Sequence, residues 1–399
     1  MKRIAVFCDG TWNRSDSQTP TNVVRLAAAM APLGPDGVVQ VPIYIQGVGT
    51  GQGVTRLSRW ADKVLGGAFG WGLMANIVEA YRHLVFLYEP GDEIFIFGFS
   101  RGAYTARSLA GFIRCTGIVD RDRLHKIPEA VERYRRKGDP TTHPSTPDSF
   151  DFRSNASLRV VTSAAEAAHR RDAGMPEAPL LRLAYLGVWD TVGALGVPKH
   201  LALAPVLNCD KFRFHDADLT RLVRMARHAI ALDERRPSFC PTRWDNLERL
   251  NGGPMTDDAP YQERFFAGDH GSVGGGGDIL DLSSITLRWI AEGAAEAGLA
   301  LDPKALAAIA RKENPMGPLH NHSERRQSLV ERIMRMRLED REGPERMEEL
   351  HPAVYQRWSK EAKATGFKPY RPGSLKRVET QLAAFHAAQS TAEESTRFA

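Results

Sequence analysis

The chain has 399 residues, 42% hydrophobic and 25% charged, with a formal net charge of +5. Those proportions exclude a disordered or fibrous chain and leave ample sequence to bury a core. A mild basic excess over this length does not call for a nucleic-acid partner, although it favours peripheral contact with an anionic surface such as lipid head groups. The four cysteines, Cys8, Cys115, Cys209 and Cys240, form no CxxC pair, so neither a zinc knuckle nor a dense disulfide framework is indicated. The apolar run Ile4 to Cys8 is too short for a signal peptide, and no window approaches the roughly 18 apolar residues of a membrane span. The expectation is a cytoplasmic chain, with signal-independent export left open.

In chain order, Ile4 to Cys8 reads as a buried strand stopped by Asp9-Gly10. Thr21 caps a helix through Met30. Val38 to Gln46 is rich in β-formers and runs into a glycine loop, Gly47 to Gly53. Leu73 to Tyr88 has helical spacing, Glu93 to Phe99 is a second apolar strand, and Gly102 to Arg114 a helix. Residues 138–154 shift to Pro, Ser, Thr and Asp and read as a loop, with the position of a lid. Leu181 to Val188 resumes as strand, Asp216 to Leu232 reads as helix, Phe265 to Ala267 as a last short strand and Ser284 to Ala295 as helix. This alternation predicts an α/β fold: a mostly parallel sheet with helices on both faces. The expected organisation is one domain over 1–375, whose 313–375 portion is a helical C-terminal extension, followed by a polar tail over 376–399 whose last ~15 residues read as frayed.

The strongest local signal is IFIFGFSRGAYTARSLAGF, Ile94 to Phe112, in which an apolar strand enters Gly98-Phe99-Ser100-Arg101-Gly102 and a helix follows. A serine on so tight a turn is exposed at a helix N-terminus, where the dipole favours a developing anion. Ser100 is therefore the candidate nucleophile, against the plain reading of a capping serine. On such a sheet the acid and the base follow in the order serine, acid, histidine. LAYLGVWDTVGALG ends a strand at Asp190, the candidate acid, against the reading of an Asx-turn. FFAGDHGSVGGGGD places His270 after the last strand, as candidate general base. A phosphate cradle is weaker there, since no GxxxxGK[ST] and no Lys or Arg lies in the loop. A metal site would need more ligands than Asp269 and Asp278, and no metal or organic cofactor is expected.

For an oxyanion, the N–H of Arg101 is one candidate donor, and the turn at Gly10 and Thr11 is the other, against a tight turn stabilised by Asp9. Asp9 is rejected as a phosphatase nucleophile because Thr11 stands where a second aspartate is needed. Arg101 and Arg107 flank the serine and could favour an anionic substrate, but Arg107 reads rather as a solvated helix face. His228 is expected on a helix, in a structural role. His125, His143, His169 and His200 read as surface. The run LHNHSERR with His320 and His322 spells like a nuclease motif but lacks its context.

The order FCDGTWN, GFSRGAYTAR, GVWDTVGALG, RHAIALDERR and GDHGSVGGGG, with LHPAVYQRW and YRPGSL, resembles the family named for the catalytic domain of type VI secretion phospholipase (lipase) effectors, formerly a domain of unknown function. The resemblance covers roughly residues 1 to 375. It implies an α/β-hydrolase fold and a triad carried by Ser100, Asp190 and His270. It also implies phospholipid acyl esters as substrates, and a secretion-system or immunity partner. It departs from many relatives after the glycine run, where Gly277 and Asp278 replace an aromatic, and little sequence is left for a membrane-docking portion. Two alternatives stay open: a soluble esterase or thioesterase, and a catalytically idle binding protein on the same fold.

Overall fold

The computed structural model describes residues 1–10, 13, 16–47, 67–136, 139–193, 218–323, 338–360 and 369–397. Residues 48–53 of the glycine loop, Thr11, His200 and Cys209 lie outside them. Six strands form one parallel sheet in the order β2-β1-β3-β4-β5-β6: β1 (Lys2–Cys8), β2 (Val39–Ile45), β3 (Glu93–Phe99), β4 (Leu183–Trp189), β5 (Val223–Ala231) and β6 (Tyr261–Phe266).

The central strands are apolar without interruption because both sheet faces are covered. Along β1, Ile4, Val6 and Cys8 enter the core on one face, while Ala5 and Phe7 enter the core on the other. The first face packs helices α2 (Gly67–Leu87) and α3 (Arg101–Thr116). The second packs α1 (Asn22–Ala29) and α6 (Asp281–Glu296). Each fully buried Ile or Phe contributes about 1.5–3 kcal/mol of transfer free energy. The predicted cap on α1 is present, the Thr21 side chain accepting from the Val24 N–H.

The chain reverses direction across the sheet after β2, so the switch point lies between β1 and β3. In such sheets ligands bind outside the carboxyl ends of the strands at this crevice.

Three expectations are corrected. Asp216 to Leu232 is not a helix; its described part carries β5. Ala, Arg, Met and Leu favour a helix locally. The segment instead pairs on both sides, Leu183 through Trp189 with Val223 through Ala229 and Ala226 through Ala231 with Tyr261 through Phe266, and that tertiary pairing overrides propensity. His228 is thereby a strand residue.

The described residues 139–154 are not a loop over the crevice. They lead into α4 (Pro147–Ala156), followed by α5 (Ala164–Asp172). Arg153 of α4 is fully buried: Nη1 donates to Cys115 O at 3.0 Å and Nη2 to Pro144 O at 2.8 Å. Cys115 lies at the far end of α3, roughly 22 Å from Ser100 at 1.5 Å per residue. The segment is thus fastened to the end of α3 remote from the crevice.

The tail read as frayed carries α8 (Glu379–Arg397). Together with α7 (Pro352–Ser359), it buries Val354, Trp358, Val378 and Leu382 against Ile230, Leu232, Phe265 and Ala267. Leu350 pairs with Phe265, so the extension covers the free edge of β6.

Glu166 joins α4 to α5. It accepts from Arg153 Nε at 2.7 Å, Arg170 Nη2 at 2.5 Å and Thr162 N at 2.9 Å, with all three ionic side chains essentially out of solvent. Glu166→Gln leaves two buried guanidinium groups short of their counter-ion. It is expected to lower stability by about 3–5 kcal/mol, read as a fall in the urea midpoint; an unmoved midpoint would refute that weight.

Candidate active site

The site assembles at the carboxyl rim of β1, β3, β4, β5 and β6. Among the described residues only two non-glycines have positive φ, Ser100 at 59° and Asp190 at 37°. Both follow directly on strands, and such strained conformations cluster where function holds them.

Ser100 follows β3 with ψ −124°, and its N–H donates to Trp189 O at 3.0 Å. A methyl group on Gly102 would lie 2.2 Å from Cys8 O, and one on Gly98 2.4 Å from Gly102 O. Those are backbone atoms, so only glycine lets strand, turn and α3 approach this closely, which is the elbow that the GxSxG spacing predicts. The Ser100 side chain makes no capping bond to α3.

Asp190 is wholly buried after β4, its N–H donating to Ala229 O at 2.7 Å. Its Oδ2 lies 2.5 Å from His270 Nδ1. Oδ1 accepts from Ala231 N at 3.0 Å and from Arg341 Nη1 at 2.6 Å, while Arg341 Nη2 reaches Oδ2 at 2.9 Å. Burial alone would raise this carboxyl. The Arg341 guanidinium and His270 outweigh burial and hold it far below the usual carboxylate range.

His270 is the first residue of a one-turn helix, His270–Gly274, capped by Asp269, which accepts from Ser272 N at 2.9 Å. Its own N–H donates to Glu234 Oε2 at 3.3 Å. The imidazole lies between the rings of Phe99 at 4.6 Å and Phe239 at 4.8 Å. Phe99 adjoins Ser100, so this packing sets the imidazole beside the elbow. Gly274 permits it: a methyl group there would sit 1.9 Å from the Phe99 ring. With Asp190 on Nδ1, the basic nitrogen is Nε2. No hydrogen bond joins the Ser100 hydroxyl to His270 in this state, and such contacts commonly tighten only with substrate.

The Asp9 turn packs against the elbow. Its carboxylate accepts from Gly10 N at 2.7 Å, Thr21 Oγ1 at 2.9 Å and Tyr44 Oη at 2.8 Å. Burial raises this carboxyl, and the three donors oppose that. A methyl group on Gly10 would lie 3.3 Å from Ser100 Cβ, which places the turn beside the serine, although the Gly10 N–H is already engaged by Asp9.

Arg107 is not a solvated face. It is buried, with Nη2 donating to Arg243 O at 3.3 Å and the guanidinium stacked over Trp244 at 5.1 Å. Burial lowers it to about 10. His228 is structural as expected, though on a strand: Nε2 accepts from Thr191 N at 3.1 Å and Nδ1 faces Glu263 Oε2 at 2.8 Å. It thus pins the residue after Asp190. Arg341, Glu234 and Phe239 carry no signal in the sequence; Arg341 lies in a stretch, LEDREGPER, where six of the nine residues are charged. His169 pairs with Asp151 at 2.7 Å and His322 stands 3.7 Å from Asp278, both partly exposed.

A yeast protein described as uncharacterized (YEL023C, Saccharomyces cerevisiae) is 26% identical over 245 residues, covering 60% of this chain and 32% of that one. The match thus spans about a third of the length of the curated relative. A crystal structure of an uncharacterized Pseudomonas aeruginosa protein aligns over 98% of this chain and 59% of its own, at 18% identity and TM-score 0.40. The structure of the Tle1 effector bound to the VgrG spike of a type 6 secretion system aligns over 69% and 51%, at 16% identity and TM-score 0.35. Residues 2–293 match the family model described as "T6SS, Phospholipase effector Tle1-like, catalytic domain". The chain belongs to the Tle1-like phospholipase effector catalytic-domain family.

Proposed function

We propose that this protein is a serine hydrolase that cleaves carboxylic esters of phospholipids through Ser100, His270 and Asp190. The observation that carries the reading is the Asp190 Oδ2 to His270 Nδ1 contact at 2.5 Å beside a serine on a strained strand-to-helix turn. Family membership supports the lipid substrate.

In the first step the Ser100 Oγ forms a bond to the ester carbonyl carbon as its proton passes to His270 Nε2. Asp190 keeps the imidazole in the Nδ1–H tautomer and stabilises its cation. The oxyanion is met by the Arg101 N–H at the start of α3 and by the Gly10 N–H, shared between Asp9 and the new anion. When the C–O bond to the leaving alcohol breaks, His270 returns the proton to that alcohol. Water, deprotonated by His270, then attacks the acyl-enzyme and releases the acid and free Ser100. The reaction balances with water as the only co-reactant. The same membership supports a secretion-system partner, testable by co-purification with spike proteins.

Ser100→Ala is expected to lose about 10⁴-fold or more in kcat on phospholipid vesicles and on p-nitrophenyl esters, and to resist a fluorophosphonate probe that labels the wild type. Turnover of short esters alone would move the reading to a soluble esterase. Equal activity in both proteins would remove Ser100 from the mechanism.

Asp190→Asn offers an N–H where the imidazole needs an acceptor, so His270 takes the wrong tautomer. A kcat loss of about 10⁴-fold is expected, with a lowered Tm because Arg341 loses its counter-ion. A variant within tenfold of wild type would exclude Asp190 as the acid.

A further inference from the structure

We infer that Arg341, supplied by the chain beyond the family match, is a positioning residue of the triad: it divides the charge of Asp190 between itself and His270, and so sets the basicity of the general base. The inference rests on the triad reading above.

The geometry is specific. Arg341 grips both carboxylate oxygens, at 2.6 and 2.9 Å, and a fork-on-carboxylate pair fixes the plane of the acid as well as its charge. Arg341 is 9% exposed and Asp190 not at all. Nη1 also donates to Ala231 O at 2.9 Å and Nη2 to Phe239 O, so the guanidinium ties Asp190 to the end of β5 and to the segment whose Phe239 ring packs on His270. A fully buried pair feels little screening from water.

The strap carrying Arg341 is fastened on both sides. Glu339 N donates to Arg235 O at 3.0 Å, and Asp340 pairs with Arg235 at 2.9 Å. Beyond it, Glu349 takes Arg243 Nη2 at 2.6 Å, and Leu350 joins the apolar cluster that docks the extension on β5 and β6. The guanidinium is thus held against Asp190 by packing.

The consequence for chemistry follows from charge. His270 is stabilised as a cation by whatever net negative charge stands at Asp190. A permanent cation on the other side of that carboxylate weakens the stabilisation. Among the described residues, the other charged groups beside His270 are Glu234, which accepts its N–H and pairs with Arg236 at 2.7 Å, Asp269 as its cap, and Asp233, bound to Gly268 N and Tyr370. Among the described arginines, Arg341 is the one that touches Asp190. Removing its charge should therefore raise the pH at which His270 loses its proton.

The test is the pH profile of kcat/KM on a soluble p-nitrophenyl ester for wild type, Arg341→Met, Arg341→Gln and Arg341→Lys, with Tm for each. Arg341→Gln keeps amide donors and removes the charge. The expected result is an acid limb moved upward by about one pH unit in the Met and Gln variants, with kcat reduced more than KM is changed. Arg341→Lys is expected to hold the limb within about 0.3 unit. If Arg341→Met does not fold, Arg341→Gln carries the comparison, and if neither charge-removing variant folds, the role is structural and the inference fails. An unmoved or lowered limb, whatever the fall in Tm, overturns it while leaving the triad intact. If Ser100→Ala is as active as wild type, the triad reading fails first and this inference with it.

Discussion

A buried carboxylate has to be neutralised or fully hydrogen-bonded, and much of this structure's architecture follows from meeting that requirement at Asp190. A lone ionised carboxylate taken out of water is strongly disfavoured. Here the charge is retained because Arg341, His270 and the Ala231 N–H meet its two oxygens from three directions. Those partners come from the C-terminal extension, the loop after β6 and the end of β5. The sheet order brings β4 between β3 and β5, so the acid stands next to the elbow on one side and to its supports on the other. Disturbing any of the three would leave charge uncompensated inside the protein.

The parallel sheet makes this convergence possible. All six strands point the same way, so each connection leaves the sheet at the same rim. Continuous apolar strands buried on both faces hold that rim rigid, and the strained turns at Ser100 and Asp190 are tolerated because the ladder over-determines them. The Thr191–His228–Glu263 chain does similar work one layer below. A neutral, buried imidazole accepts the N–H that follows Asp190, and Arg243 balances Glu263. The second histidine thus props the acid side of the site.

The C-terminal part closes the same edge of the sheet. Covering β6 removes an unpaired strand edge, and the apolar stripe of α7 and α8 supplies the burial that holds the strap in place. One segment therefore stabilises the fold and touches Asp190. The polar stretch 139–154, by contrast, is fastened to the remote end of α3 by Arg153, whose guanidinium also pairs with Glu166, away from the rim.

Local sequence determined the elements whose cause is local. GxSxG after an apolar strand dictated the elbow, because only glycine at positions 98 and 102 lets backbone meet backbone there. Apolar runs dictated β1, β3 and β4, and Thr21 dictated its cap. Chain order assigned Asp190 and His270 to the rim, since a parallel sheet delivers successive loops to one end. Tertiary structure decided the rest. The segment 223–231 is helical by composition and strand by pairing, because the free places beside β4 and β6 outweigh its intrinsic preference. Arg107 reads as surface by type but is buried by its neighbours. Arg341 lies 151 positions from the carboxylate it holds and carries no local signature. Ion pairs between distant residues depend on where the backbone goes, and no periodicity in a single sequence records that.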